Sequence, residues 1–230
     1  MGDGLPWGVG VLAALGTGAL VGLWQGFWVA FVGIPAFIGT LAGMLIFRGL
    51  TMQVLGNVSL SPFPREYQYI SGGFLNGLMG GYGYDAFTLF LAAALLVVFV
   101  IQQYRGRLAT LKYQQQVAAL PPSWLQNVLI AAVAMALAWQ RAHARGLPVV
   151  LVLLAALILI YGFISQRTIF GRHIYAMGGN LQAAKLSGVK VRRVNMWLFV
   201  NMGLLSAVAG IVYSARSNSA QPGAGNMFEL

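Results

Sequence analysis

Cysteine is absent from all 230 residues, and only four acids occur: Asp3, Glu66, Asp85 and Glu229. The first absence excludes disulfides and thiolate metal sites. The second leaves no carboxylate pair for acid–base catalysis. Two isolated histidines, His143 and His173, are too few and too loop-bound for a metal cluster, so neither a metal site nor a catalytic residue is expected. A Gly-Lys-Ser/Thr phosphate loop and a Ser/His/Asp grouping are also missing. No basic residue precedes Arg48, so the N-terminus lacks the charged start of a cleavable signal peptide. Charged residues make up 8% of the chain, where a soluble domain carries about 25%.

What is abundant is apolar surface, 59% of the residues, with a mean hydropathy of +0.76. That surplus requires a lipid bilayer around it. The net charge of +10 lies in loops rather than on one face, which argues for membrane topology and against nucleic acid. Six apolar runs fit membrane spans, at 7–30, 35–54, 86–102, 124–140, 148–165 and 196–214. The fold class expected is therefore all-α, a polytopic integral membrane helical bundle forming a single domain over 1–230. Gly18, Gly22 and Gly26 share one helix face, as do Gly39 and Gly43, and Ser206 and Gly210; such faces let helices approach closely. Trp24 and Trp28 mark an interface level. Pro35 suits the first turn of the second span. Thr40 can bond its own helix's carbonyls, and Arg48, late in that span, can snorkel to the interface. Residues 56–85 read as an external excursion with a short re-entrant piece near Phe74–Met79.

Two basic loops, 103–123 and 166–195, carry Arg105, Arg107, Lys112, Arg167, Arg172, Lys185, Lys190, Arg192 and Arg193 and no acid. Arg65, Arg141, Arg145 and Arg216, with all four acids, fall on the opposite side, so the two loops are cytoplasmic. The second contains a small helix signal. Gly178 and Gly179 permit a chain reversal, Asn180 caps, Leu181–Leu186 form the helix, and Ser187-Gly188 stop it. A short capped helix between spans is suited to being gripped by a partner.

No Asp, Glu or His lies in any span, which weighs against an ion relay and requires energy from elsewhere. The polar groups within the spans are neutral. Gln25, Thr40, Asn127, Asn201 and Ser206 are candidates for a path taken by an uncharged, hydroxyl-bearing solute.

At GRHIYAMGGNLQAAKLSGV, residues 171–189, the chain resembles the cytoplasmic loop of the ribose/xylose/arabinose class of ABC-transporter permeases. IPAFIGTLAGMLIFRGLT, residues 34–51, resembles the same class. So does the tail, where Ala215-Arg216, Ser219-Ala220-Gln221-Pro222, Gly225 and Glu229-Leu230 keep that family's order. The basic insert around Tyr104–Gln116, followed by a further span, is most similar to the xylose permeases. The resemblance implies a membrane path for a monosaccharide, D-xylose the first choice, in a bacterial inner membrane. It implies as partners a second permease copy, cytoplasmic ABC ATPase subunits that hold the ATP and Mg, and a periplasmic sugar-binding protein. No cofactor is expected on this chain. The element Gly179, Asn180, Gln182, Ala183, Ala184, Lys185, Leu186, Ser187 and Gly188 is similar to the helix that couples such permeases to their ATPase. Gln25-Gly26 stands where the family has Asn-Gly. The family continues beyond both ends of this sequence, which implies an interior portion of a permease. A non-transporting scaffold or defunct fragment, and a passive solute channel, remain as alternatives.

Overall fold

The computed structural model describes residues 6–56, 58–75 and 146–226, together with scattered positions within 87–101 and 129–140 that are all helical. Of the expected spans, 86–102 is described at ten positions and 124–140 at six, all of them helical, whereas the loop 103–123, Asn127 and His143 lie outside the described residues. Helix α1 (Trp7–Phe27) passes into a wider π-turn (Trp28–Val32), then come α2 (Ala36–Leu55), α3 (Arg65–Gly72), strands β1 (Phe74–Leu75) and β2 (Leu147–Pro148), α4 (Val149–Arg167), α5 (Ile169–Gly179), α6 (Leu181–Leu186) and α7 (Val191–Ser217). Among the described residues, four helical segments are long and apolar enough to cross a membrane: Trp7–Val32, Ala36–Leu55, Val149–Arg167 and Val191–Ser217. The chain divides into two units, 1–73 with 152–230, and 74–151. The second holds the antiparallel pair in which Phe74 faces Pro148 and Leu75 faces Leu147. The re-entrant piece expected from Phe74 therefore begins as a strand, and 76–79 lie outside the described residues.

The first unit is built on one antiparallel helix contact. A Cβ at Gly18 would stand 2.5 Å from the Gly203 carbonyl oxygen, and one at Gly22 2.5 Å from that of Phe199 and 2.8 Å from Val200 Cα. Gly26 lies against Met196, its Cβ position 2.9 Å from the sulfur. The glycine face of α1 thus meets the backbone of α7, with the numbering running in opposite directions. Lipid offers no hydrophobic drive for helices to associate, so this packing is the source of their attraction. The contact with α1 uses Gly203 and Ala207, which meet Gly18; among the described residues nothing lies within 4 Å of a Cβ at Gly210, and Ser206 is exposed. Spacing defines a small-residue face but not whether a partner covers it.

At the far end of α1 and α7, α3 closes the packing. Tyr67, 5% exposed, forms a core with Ile211 and Ala215, against Val11, Ala14, Leu15 and Phe63. Its hydroxyl lies 2.6 Å from Ser214 Oγ, and its ring meets Phe63 edge-on at 5.1 Å. Asn218 ends α7 in the left-handed region (φ 53°), and its Oδ1 accepts a 2.8 Å bond from the Phe63 amide. Leu60 and Ala220 exchange backbone bonds of 3.0 Å. The excursion after α2 and the tail after α7, expected on one side of the membrane, are therefore joined to each other. Part of that excursion is a helix, which its proline-rich approach concealed.

The helix ends depart from the hydropathy limits. The last span was expected over 196–214, but α7 runs from Val191 to Ser217, so Arg192 and Arg193 sit in its first turn rather than in a loop. Hydropathy marks lipid contact, whereas the backbone ladder continues into the interface. The first span likewise runs on to Val32. Gly33, at φ 88°, then breaks the ladder, and its amide and that of Ile34 both donate to the Trp28 carbonyl. Pro35 occupies the position before α2 rather than its first turn. Trp24 packs edge-on against Trp28 (6.2 Å) and Phe47 (5.4 Å), and Phe27 stacks on Phe31 (6.1 Å). This aromatic cluster fits an interface level at that end of α1.

Because a side chain at residue 22 meets backbone that cannot swing aside, Gly22→Ala should lower stability in detergent by about 1–3 kcal/mol. Gly16→Ala, where nothing lies within 4 Å, should stay within about 0.5 kcal/mol of the parent or gain slightly. Thermal unfolding of the two variants side by side checks this.

Candidate functional site

The stretch between α4 and α7 is not a loose loop. Thr168 caps α5: its Oγ1 accepts from the Gly171 amide at 3.1 Å and donates to the Ile164 carbonyl at 2.5 Å. Gly171 is buried so tightly that a Cβ would meet the Ile164 and Ser165 carbonyl oxygens. Only glycine lets α5 fold back this closely on the end of α4. Helix α5 itself was unexpected, since the reading from sequence assigned 166–195 to a loop with one short helix. Gly178 and Gly179 are the last residues of α5 and have no left-handed backbone. The reversal instead falls at Asn180, which is extended (φ −151°, ψ 103°).

From there the local chemistry follows the sequence closely. Asn180 Oδ1 accepts from the Ala183 amide at 3.0 Å, satisfying one of the free donors at the start of α6. Leu181–Leu186 form the helix. At its end the Ser187 amide bonds the Ala183 carbonyl (2.9 Å), the Gly188 amide that of Lys185 (3.1 Å) and the Val189 amide that of Ala184 (3.1 Å). Gly188, at φ 83°, makes this exit possible.

The burial of α6 separates its two faces. Ala184 is 4% exposed and points inward, so it cannot itself meet a partner surface. Gln182, Ala183, Lys185 and Ser187 are exposed, Leu181 is 42% exposed, and Leu186 is 90% exposed. The outer face therefore offers two leucines and an amide beside a cation.

Among the described residues the polar side chains of the spans are not drawn together. Thr40 donates to the carbonyls of Ala36 (2.8 Å) and Phe37 (3.2 Å) on its own helix. Asn201 Oδ1 accepts a 2.5 Å bond from the Tyr161 hydroxyl, joining α7 to α4. Ser206 is exposed, and Asn127 lies outside the described residues. Gln25 stands apart: its carboxamide lies against Gly43 of α2, and its Oε1 is buried with no hydrogen-bond partner among the described residues. Tyr161 was missed from sequence, where a lone tyrosine in an apolar run carries no signal of its partner. Among the described residues no three His, Asp or Glu side chains gather as metal ligands.

Over residues 3–230 the chain matches the family model described as branched-chain amino acid transport system / permease component, and it belongs to that family. It is thus a multi-pass membrane protein of the permease class. It is 34% identical over 227 residues to the xylose transport system permease protein XylH of Haemophilus influenzae, covering 99% of this chain and 58% of the relative. It is 37% identical over 228 residues to XylH of Escherichia coli, covering 99% and 56%. Over 90 residues it is 42% identical to the ribose import permease protein RbsC of Bacillus subtilis, covering 39% and 28%. The chain spans a little over half the length of the two xylose relatives. No solved structure matches it.

The cap sets the order of α6, because a six-residue helix has little cooperativity of its own. Asn180→Ala should weaken it by about 1 kcal/mol, seen as roughly fivefold faster amide exchange at Ala183 and Ala184. Gln182→Ala, on the exposed face, should leave that exchange unchanged.

Proposed function

We propose that this chain is part of the membrane-spanning subunit of an ATP-driven monosaccharide importer in the bacterial inner membrane, with D-xylose as the first substrate to test. The match to xylose permeases over nearly the whole chain supports the sugar class. The observation that carries the coupling role is the capped helix α6, whose Leu186 stands exposed in the basic stretch between α4 and α7. In this reading the outer face of α6, with Leu181, Gln182, Lys185 and Leu186, docks on a cytoplasmic ATPase that holds ATP and Mg. The chain itself catalyses nothing. A second permease copy and a periplasmic sugar-binding protein complete the assembly.

The sugar would pass between spans that offer neutral hydrogen-bond partners. Gln25 is the strongest candidate, because an acceptor left unpaired in an apolar bundle is held at a cost that a passing hydroxyl relieves. The Tyr161–Asn201 pair is a second, since either group can trade its partner for a sugar hydroxyl.

In the assembled transporter, Leu186→Cys should cross-link to the ATPase subunit with an efficiency that changes with ATP, while Ala184→Cys should stay protected. Reconstitution with the ATPase and binding protein should give sugar-stimulated ATP hydrolysis. Sugar flux that needs no ATP would point to a passive channel. Neither flux nor stimulation would point to a scaffold or a defunct fragment. Gln25→Met, similar in volume and without the orphaned oxygen, should raise thermal stability by roughly 1–3 kcal/mol while lowering sugar uptake. Unchanged uptake would remove Gln25 from the path.

A further inference from the structure

Where α7 begins, the first unit opens a cavity of about 380 Å³. Lys185, Lys190, Arg192 and Arg193 line it, with Phe31 contributing an apolar wall. Val189 and Val191 complete the lining, and no acid takes part. Four basic residues thus border one space. Among the described residues none of the four is held by an ion pair. The helix adds to this field. The first turn of α7 contains no acid, and Lys190 before it makes no side-chain cap, so the positive end of the helix dipole points into the same region. Arg192 and Arg193 lie where a helix normally prefers carboxylates. The arrangement lacks one thing, an anion.

The surroundings say which anion. Phe31 is 45% exposed and ends the aromatic series Trp24, Phe27 and Trp28, whose rings contact one another along α1. Exposed tryptophans and phenylalanines in such a series belong at the boundary between hydrocarbon and headgroups. The basic cavity therefore begins at headgroup depth, with an apolar flank leading away from it. A soluble anion has no use for that flank, whereas a phospholipid fills both parts.

We infer that this cavity binds the headgroup of an anionic phospholipid. The phosphate accepts hydrogen bonds from the Arg192 and Arg193 guanidiniums and the Lys190 ammonium, and the glycerol and upper acyl chains lie on Phe31. Lys185 belongs to α6 and the arginines to α7, so the bound lipid joins the short helix to the span beside it. The site stands whether or not α6 meets an ATPase.

The test is lipid retention by the full-length protein, measured by native mass spectrometry from detergent containing equal amounts of phosphatidylglycerol and phosphatidylcholine. The parent protein should keep phosphatidylglycerol preferentially. Lys190→Gln/Arg192→Gln/Arg193→Gln should reduce that preference by about a hundredfold at low salt, and Arg192→Lys/Arg193→Lys should retain most of it. Equal retention of the two lipids by the parent protein overturns the proposal, and so does an undiminished preference in the triple Gln variant. If that variant fails to fold, the parent decides alone: a preference that fades as ionic strength rises supports the site, and one indifferent to salt overturns it. Displacement of the lipid by an equal concentration of inorganic phosphate would overturn the lipid assignment in favour of a bare-phosphate site. The measurement uses neither sugar nor ATP, so its failure leaves the transport reading standing.

Discussion

Backbone-to-backbone contact between α1 and α7 sustains the first unit. In water, two helices can be driven together by burying apolar side chains. In lipid that drive is absent, and the attraction must come from atoms brought within van der Waals range. Gly18 and Gly22 supply this by letting the carbonyls of Gly203 and Phe199 into the space where side chains would stand. The antiparallel contact then fixes both ends of the unit. At one end it sets Tyr67 and Phe63 over Ile211 and Ala215, and at the other it brings Phe31 to the start of α7. The aromatic cluster, the basic cavity and the joined segments after α2 and α7 all take their places from it.

The segment from Thr168 to Gly188 shows a different principle, order obtained from local hydrogen bonds. Each helix start in it is capped by a side chain of the residue just before, Thr168 for α5 and Asn180 for α6. Gly171 packs against the end of α4 without room for a Cβ. Two short helices that would fray alone are thereby held to the membrane helices on either side. The outer face of α6 is left exposed without being left disordered.

How far the sequence could be read follows the same division. The limits of α6 were legible residue by residue, because a cap and a stop depend on neighbours in the chain. The glycine face of α1 was legible as a face, since its period is a property of one helix. Its partner was not: the comparable spacing at Ser206 and Gly210 is a face as well, yet among the described residues nothing covers it. Helix α3 escaped because its eight residues are few and polar on average and follow a proline-rich approach, and its order comes from Tyr67 reaching Ser214. Among the path candidates, Thr40 behaved as its chemistry alone suggests, bonding its own turn. The link between Asn201 and Tyr161 joins residues 40 apart in sequence, and nothing short of the packing could disclose it.

The π-turn at Trp28–Val32 has a consequence for the angular phase of the chain. A single wide turn accommodates one residue more than an α-turn, and each α-helical residue advances about 100° around the axis. Everything beyond Trp28 is therefore rotated relative to the glycine stripe of Gly18, Gly22 and Gly26. An uninterrupted α-helix could hold the stripe against α7 or aim the Phe31 ring as it now stands, but not both. The extra residue works as a swivel that uncouples the two aims, so the facing of the helix before Trp28 and the facing after it are set independently of each other.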